Sequence, residues 1–376
     1  MIDATDAPPL SDDAFGDEAL MRRAVALARR GDGRVSPNPP VGCVLVSGDR
    51  IVGEGWHEGP GTDHAEVAAI KSAGAAARGA RAFVTLEPCN HQGRTGPCTD
   101  ALIAAGVADV IYGAEDPNPT AAGGAARLRS KGVSARMASG AAKEAADDLT
   151  RAWRRAIVAR RPYVYAKYAC SLDGRTATRT GSSKWITGEK ARHYGHVLRQ
   201  RTDAVIVGVG TVVADNPSLD PRPPDTRPAP GLKVICDSAL RTPTTARVFN
   251  SPGETLIFCS ATADGARERA LTRVGASVIR LDGPDGRPPF RDVLVELRRR
   301  NCLSAMIEGG SRLLGAAFDD ALVDEVWAFI APVIVGGGQP VVNGHGALLI
   351  SDALRLQAPR IETIGDDLFI RGYATA

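Results

Sequence analysis

Between residues 17 and 138, stretches of helical spacing alternate with short apolar runs of strand type, and polar turns or glycines separate them. That alternation constrains the fold more than any other feature, because strands joined through helices build a sheet covered on its faces. DEALMRRAVALARR (17–30) carries apolar residues at helical spacing and stops at Gly31. PVGCVLVSGDRIVGEGW (40–56) predicts two strands about an SGDR turn. HAEVAAIKSAGAAA (64–77) predicts a helix opening at His64, and ARAFVTLEPC (80–89) a strand running into a loop. TDALIAAG (99–106) predicts a short helix with Thr99 as N-cap and Gly106 as its stop. The strand of ADVIYGAEDPNP (108–119) and the helix and strand of AARLRSKGVSARMA (125–138) complete a layered α/β domain.

A charged helical stretch over 141–160 ends before Pro162, which places a boundary near 155–162 and predicts domains over 1–158 and 159–376. A chain of 376 residues with 44% hydrophobic residues is long enough for two cores. In the second half, PYVYAKYACSLDG (162–174), DAVIVGVGTV (203–212), LKVICDS (232–238), TLIFCS (255–260), ASVIRL (276–281), SAMIEGG (304–310) and DEVWAFIAPVIV (324–335) are strand-like. Helices are expected at 188–201, 262–274, 290–300 and 311–321, and a proline-rich loop at 220–231. This predicts a second α/β domain with a large, mostly parallel sheet.

The net charge is +3, and no block of like charge stands out, so neither nucleic acid nor a membrane surface is expected as a partner. Arg298–Arg300 is read as a solvated helix end. The acidic start carries no apolar targeting segment, and no run of eighteen apolar residues occurs, so a cytoplasmic protein is expected. Seven cysteines, an odd count, argue against a disulfide framework. Cys43, Cys170, Cys236, Cys259 and Cys302 sit in apolar stretches and read as small buried hydrophobes.

Cys89 and Cys98 differ: they flank a glycine-containing loop, and Cys98 stands before a helix, where thiolates are favoured. A hydrolytic zinc site needs three protein ligands, an open position and a nearby proton carrier. His64, Cys89 and Cys98 supply the ligands, and Glu66 of the H-x-E pair supplies the carrier. His57 and His91 stand as alternative ligands, and His91 also as a loop contact. The pattern H-x-E followed by P-C-x-x-C marks zinc deaminases of nucleobases. Here eight residues separate the cysteines instead of two. In the second half, glycines at VGVGT (207–211), EGGSRLLGAAF (308–318) and VIVGGGQP (333–340) end strand-like runs, where a backbone can approach phosphates. None forms a G-x-G-x-x-G fingerprint.

TLEPCNHQGRTGPC (85–98), with NPPVGCVLV (38–46), HAEVAAI (64–70) and DPNP (116–119), resembles the deaminase half of the bifunctional riboflavin-biosynthesis deaminase/reductase family. Asn90 stands where serine is common in that family, Gly96 where proline is common, and Ala125 where a glycine follows V-A-G-x. PYVYAKYACSLDGRTAT (162–178), GSSKWIT (181–187) and VGVGTVVADNPSLDPR (207–222) resemble its reductase half, so the likeness runs from about 17 to 370. The resemblance implies a cytidine-deaminase-like three-layer α/β/α domain followed by a dihydrofolate-reductase-like α/β domain, using Zn2+ and NADPH.

By position, the resemblance implies that Asn38 contacts the base, and that Ser183, Arg199, Leu219, Arg222 and Glu308 contact the second domain's substrate. It implies cofactor contacts at Ala169, Trp185, Thr211, Asp215 and Ser238 and along Gly310, Ser311, Arg312, Leu313, Leu314, Gly315 and Ala316. Arg199 and Arg222 suit a substrate phosphate, and Lys167 is a possible reductase active-site residue. The family implies a small-molecule pyrimidine phosphoribosyl substrate and a homo-oligomer, dimer or tetramer. The competing readings are a nucleoside or tRNA deaminase with a fused non-reductase domain, and a metal-stabilised binding protein. The long cysteine spacing and the absence of a basic patch argue against the first, Glu66 beside an open ligand position against the second.

Overall fold

In the first helix, α1 (Asp17–Arg29), acidic residues open and Arg29 closes a stripe of buried Leu20, Met21, Ala24, Val25, Leu27 and Ala28. The stripe needs a sheet to cover it, and the sheet follows in sequence. The computed structural model describes residues 16–92, 96–220 and 231–374. The chain divides into two compact units, Met1–Arg160 and Arg161–Ala376.

The first unit continues with β1 (Gly42–Ser47), β2 (Arg50–Trp56), α2 (Ala65–Ala73), β3 (Arg81–Val84), α3 (Cys98–Ala105), β4 (Asp109–Tyr112), α4 (Gly124–Ser130), β5 (Ser134–Met137) and α5 (Gly140–Ala159). The sheet order is β2-β1-β3-β4-β5; β1 is antiparallel to β2 and β3, and β3, β4 and β5 are parallel. Strand alternation splits β1 between two cores. Cys43 and Leu45 pack with α2, α3 and α4, whereas Val44 and Val46 pack with α1 and α5. The result is three layers. In β2, a Cβ on Gly55 would lie 2.4 Å from Ala65 O and Ala69 N, so only glycine lets α2 settle so close to the strand. That contact fixes the start of α2, where His64 and Glu66 stand.

Thr99 is not the N-cap of α3. The helix begins one residue earlier, at Cys98 after Pro97, and the Thr99 hydroxyl instead donates to Asn90 Oδ1 at 3.3 Å. Gly106 does stop the helix, in the left-handed conformation at φ 72°.

The second unit runs β6 (Tyr163–Ser171), β7 (Arg175–Thr178), α6 (Glu189–Arg201), β8 (Ala204–Gly208), α7 (Val209–Asp215), β9 (Leu232–Cys236), β10 (Thr255–Ser260), α8 (Gly265–Arg273), β11 (Ala276–Leu281), α9 (Phe290–Arg299), β12 (Ser304–Glu308), α10 (Ser311–Asp319), β13 (Glu325–Ala331), β14 (Gly338–Pro340), β15 (Gln357–Ile364) and β16 (Asp367–Tyr373). Nine strands order as β11-β10-β9-β8-β12-β6-β13-β16-β15, and β7 and β14 form a separate pair. Strands from β11 to β13 are parallel; β16 and β15 append an antiparallel hairpin. Two cores cover the two sheet faces: Val164, Ala166 and Ile307 in one, Val205, Val207 and Ile235 in the other.

Two expectations for the second unit differ from what forms, and one feature was not expected. The strand expected over 203–212 ends at Gly208, and Val209–Asp215 is helical. Val333–Val335 is not strand, and only Gly338–Pro340 pairs, with β7. The closing hairpin had no counterpart in the sequence reading. Among the described residues, no helix is long and apolar enough to cross a membrane.

Candidate active sites

His64 is the N-cap of α2, Cys89 follows β3, and Cys98 is the first residue of α3, so three elements bring one donor each to a single point. His64 Nδ1 lies 3.2 Å from Cys98 Sγ and 3.5 Å from Cys89 Sγ, and all three donors fall within 4.8 Å of one another. Tetrahedral zinc, with bonds of about 2.0–2.1 Å to nitrogen and about 2.3 Å to sulfur, holds such atoms about 3.6 Å apart, so the donor set fits the ion in type and spacing. The Cys98 amide donates to Cys89 Sγ at 3.4 Å. The Cys98 thiol, His64 and that amide together pull the Cys89 thiol down to about 4 against its burial. Cys98 moves the other way, because its proton serves the Cys89 thiolate and burial disfavours a second charge. Without a cation the two sulfurs hold one negative charge; a dication is what lets both ionise.

Glu66 is the second residue of α2, in its first turn, and only 3% exposed. Burial, then the neighbouring Cys89 charge, lifts its carboxyl to about 7. A proton carrier works best near ambient pH, and a cation among the donors would pull the value back down. Asn38 joins the same wall through His57. The His57 ring sits 5.5 Å from that of His64, its Nδ1 is 3.1 Å from Asp63 O, and its Nε2 is 2.9 Å from Asn38 Nδ2. Burial lowers the pKa of His57, which favours the neutral ring that accepts from Asn38 and donates to the carbonyl. The Asn38 amide is thereby oriented with Oδ1 left as acceptor. His57 is therefore engaged with Asn38 and is not part of the donor cluster. His91 is likewise outside the cluster, and its buried Nδ1 has no hydrogen-bond partner among the described residues.

Glu87 and Gly124 bear on this site without having been singled out in the sequence. The Glu87 carboxylate accepts from Ala125 N at 2.9 Å and Asp116 N at 3.4 Å, so it bolts the start of α4 and the DPNP turn behind Cys89. A Cβ on Gly124 would lie 1.8 Å from Pro88 O.

In the second unit, Lys167 on β6 and Glu308 at the end of β12 are register partners on adjacent strands. Glu308 is the hub: Oε1 accepts from Lys167 Nζ at 3.0 Å and Oε2 from Arg199 Nε at 2.6 Å. Burial opposes its charge, but the Arg199 and Lys167 cations overcome this and hold the carboxyl well below its usual range. Arg199 is committed to the cluster, with Nη1 on Asp220 O at 3.0 Å. The preceding residue, Leu219, is buried and takes a left-handed φ of 60°, which turns that carbonyl toward Arg199. Arg222 lies outside the described residues.

The positions expected to meet a cofactor lie along the carboxyl ends of the parallel strands. Thr211 is in α7 after β8, Ser238 follows β9, and Gly310 follows β12. Gly309 and Gly310 both have positive φ, 77° and 83°, and a Cβ on Gly310 would sit 3.6 Å from Thr211 Oγ1. The exposed start of α10 offers backbone amides at Ser311–Leu313, while Leu314 packs in the core and Gly315 is buried against the backbone of Asn343 and Gly344. Trp185 is no core aromatic: it is 70% exposed, with Arg192 stacked 4.4 Å from its ring. A Lys184–Asp215 ion pair at 3.6 Å ties the segment of Ser183 and Trp185 to the end of α7. Ala169 lies on β6, paired with Phe329.

Residues 16–114 match the family described as the cytidine and deoxycytidylate deaminase zinc-binding region, and residues 162–370 match the RibD C-terminal domain. The chain is 40% identical to the riboflavin biosynthesis protein RibD of Actinobacillus pleuropneumoniae, over 96% of this chain and 97% of that one. It is 36% identical to the Escherichia coli (strain K12) protein, over 94% and 98%. Solved structures of RibD from Acinetobacter baumannii and of a diaminohydroxyphosphoribosylaminopyrimidine deaminase/5-amino-6-(5-phosphoribosylamino)uracil reductase from Thermotoga maritima each superpose with a TM-score of 0.84 at 34% identity, covering 96% of this chain and 99% of theirs. A fused non-reductase domain is excluded by the match over the second half. With deaminase and reductase matched in one order over nearly the whole length, the chain belongs to the RibD family of bifunctional riboflavin-biosynthesis deaminase/reductases.

Proposed function

We propose that the first unit deaminates 2,5-diamino-6-(5-phosphoribosylamino)pyrimidin-4(3H)-one, and that the second reduces the ribosyl side chain of 5-amino-6-(5-phosphoribosylamino)uracil to ribityl with NADPH. The carrying observation is the convergence of the His64, Cys89 and Cys98 donors beside buried Glu66. Zinc held by these three would lower the pKa of a water toward neutrality. Glu66 takes the proton released as the water oxygen adds to the amine-bearing carbon, and passes it to the ring nitrogen and the departing amine. The carbon ends as a carbonyl, and the amine leaves as ammonia. Asn38, its amide N–H directed to His57, presents Oδ1 to donors on the pyrimidine.

In the second unit NADPH supplies the hydride. The amides at the start of α10 and the tandem glycines before it suit its pyrophosphate. Lys167 and Glu308 offer a donor and an acceptor to ribose hydroxyls, while Arg199 holds Glu308 charged. This division of labour is mainly positioning.

The assembly proposed is a homo-oligomer in the cytoplasm. Leu348, Leu349 and Ile350 are 94%, 65% and 86% exposed, and β15 ends its sheet with an unpaired edge, surfaces that a second copy would cover.

Purified protein with one zinc per chain, given the diaminopyrimidine phosphoribosyl compound, should release ammonia and then oxidise NADPH. Ammonia without NADPH oxidation would refute the second half of the reading. Glu66→Gln should retain zinc and lose at least about a hundredfold in ammonia release; undiminished release would remove Glu66 from its role.

A further inference from the structure

Lys233 is the second residue of β9 and only 2% exposed. Strand alternation puts its side chain on the sheet face of Ile235, inside one of the two cores. Nζ donates to Val248 O at 2.6 Å, Ser251 O at 2.7 Å and Ser251 Oγ at 3.1 Å, so its protons all go to neutral oxygens. Burial lowers its pKa, and the Asp220 carboxylate opposes that shift. A cation buried on neutral oxygens is costly, and a methionine would fill the same space without that cost. What the ammonium adds is that it fixes the oxygens of one short segment at one point.

That segment, the helical turn Arg247–Asn250 with Ser251 after it, holds the chain that follows α7. Arg247 N donates to Asn216 Oδ1 at 2.8 Å, and Ser251 Oγ donates to Ser218 O at 2.7 Å. Because Lys233 donates to Ser251 Oγ, the hydroxyl must aim its own proton at an acceptor. Ser218 O is the nearer one, with Val248 O at 3.2 Å. Ser218 Oγ in turn donates to Asp220 Oδ1, and Asp220 O accepts from Arg199 Nη1. Between these two fixed residues Leu219 is held at φ 60°, a conformation that a leucine keeps only where its surroundings enforce it. The relay runs from Lys233 through Ser251, Ser218 and Asp220 to Arg199, whose Nε donates to Glu308 at 2.6 Å.

We propose that Lys233 is a positioning residue for the second unit's substrate: through Ser251 it sets the Ser218–Asp220 segment, and with it Leu219 and the Arg199–Glu308 pair, in the place that receives the ribosyl compound. The inference rests on the reductase reading of that unit. Lys233 acts on substrate binding, not on hydride transfer, because the relay ends on Leu219, Arg199 and Glu308 and not on the positions proposed for the cofactor.

Steady-state reduction by the full-length zinc-loaded protein, with the deaminated substrate and NADPH varied in turn, tests it. Lys233→Met and Ser251→Ala should each raise KM for 5-amino-6-(5-phosphoribosylamino)uracil about tenfold, with kcat and KM for NADPH within about twofold of wild type. Ser251→Ala keeps the bonds from Lys233 to Val248 O and Ser251 O, so it decides the matter even if Lys233→Met does not fold. The double variant should be no worse than the poorer single one, because both lesions break one relay. A fall in kcat at unchanged substrate KM in Lys233→Met would reduce Lys233 to a support of the fold and overturn the proposal. An unchanged substrate KM in Ser251→Ala, or fully additive losses in the double variant, would overturn it while the reductase reading stands. If the wild type oxidises no NADPH with this substrate, the reductase reading falls and the inference falls with it.

Discussion

Gly195 has no chemistry of its own, yet it sets where a charged group stands. A Cβ there would lie 3.1 Å from Lys167 Cε and 3.2 Å from its Nζ, closer than a side chain tolerates without yielding. Alanine is the better helix former by about 1 kcal/mol. Gly195→Ala should therefore leave the melting temperature unchanged or higher while displacing Lys167 from Glu308. The expected outcome is a fall of about tenfold in kcat/KM for NADPH-dependent reduction, with ammonia release intact; unchanged reduction would show that the Lys167–Glu308 contact is dispensable. The residue scale also marks where sequence reading stops. His64, Glu66, Cys89 and Cys98 were legible because each belongs to a short motif whose chemistry demands those residue types. Gly195, Gly124 and Glu87 were not, because their meaning lies in atoms far along the chain. Gly124 meets Pro88 O, and Glu87 meets Ala125 N.

At the scale of elements, strongly periodic segments formed as expected, including α1, α5 and the parallel strands of the second unit. The failures have local causes. Val209, Thr211 and Val212 are β-branched, so the run over 203–212 reads as one strand, but the strand ends at Gly208 and the chain continues as a helix that buries Val209 and Val212. Strand β15 contains Pro359 and polar residues and is exposed along most of its length, so no alternation marks it. Helix α4 carries a testable consequence. Its Gly124 abuts backbone, which has no rotamer to yield, so Gly124→Ala should move α4 or the Cys89 loop. We expect a loss of about 2 kcal/mol in stability and at least a tenfold weaker hold on zinc in chelator competition; unaltered zinc retention would show that α4 does not set the cysteine loop. The turn after β6 carries another. Asp173 accepts from Ser171 Oγ, Val335 N and Gly336 N, and the Ser171 bond first, then the two amides, lower its carboxyl to about 2. A carboxyl depressed on folding stabilises fully above its ordinary value of about 3.9, and that contribution is lost as pH falls toward 2. Asp173→Asn should thus be less stable at neutral pH and show a shallower stability loss between about pH 4 and pH 2; parallel acid-unfolding curves for variant and wild type would refute the clamp.

At the scale of the molecule, each unit carries its own pair of cores, one on each face of its own sheet, and each assembles its polar cluster from its own strands and helices. The donors for zinc all come from the first unit, and Lys167, Arg199 and Glu308 all come from the second. Among the described residues, the hydrogen bonds that join each cluster are made within its own unit, so the two chemistries should be separable by lesion. Removing zinc with a chelator should abolish ammonia release, because a buried carboxyl beside one shared thiolate has nothing to activate water. The same sample, supplied with the already deaminated substrate, should oxidise NADPH at the untreated rate. Glu308→Gln should give the mirror result: it leaves Lys167 and Arg199 without their shared carboxylate, which costs reduction at least about tenfold, while ammonia release continues. Measuring both activities on each preparation decides the matter, because a chelated enzyme that loses NADPH oxidation as well would show that zinc supports the fold or the action of the second unit and not the first chemistry alone.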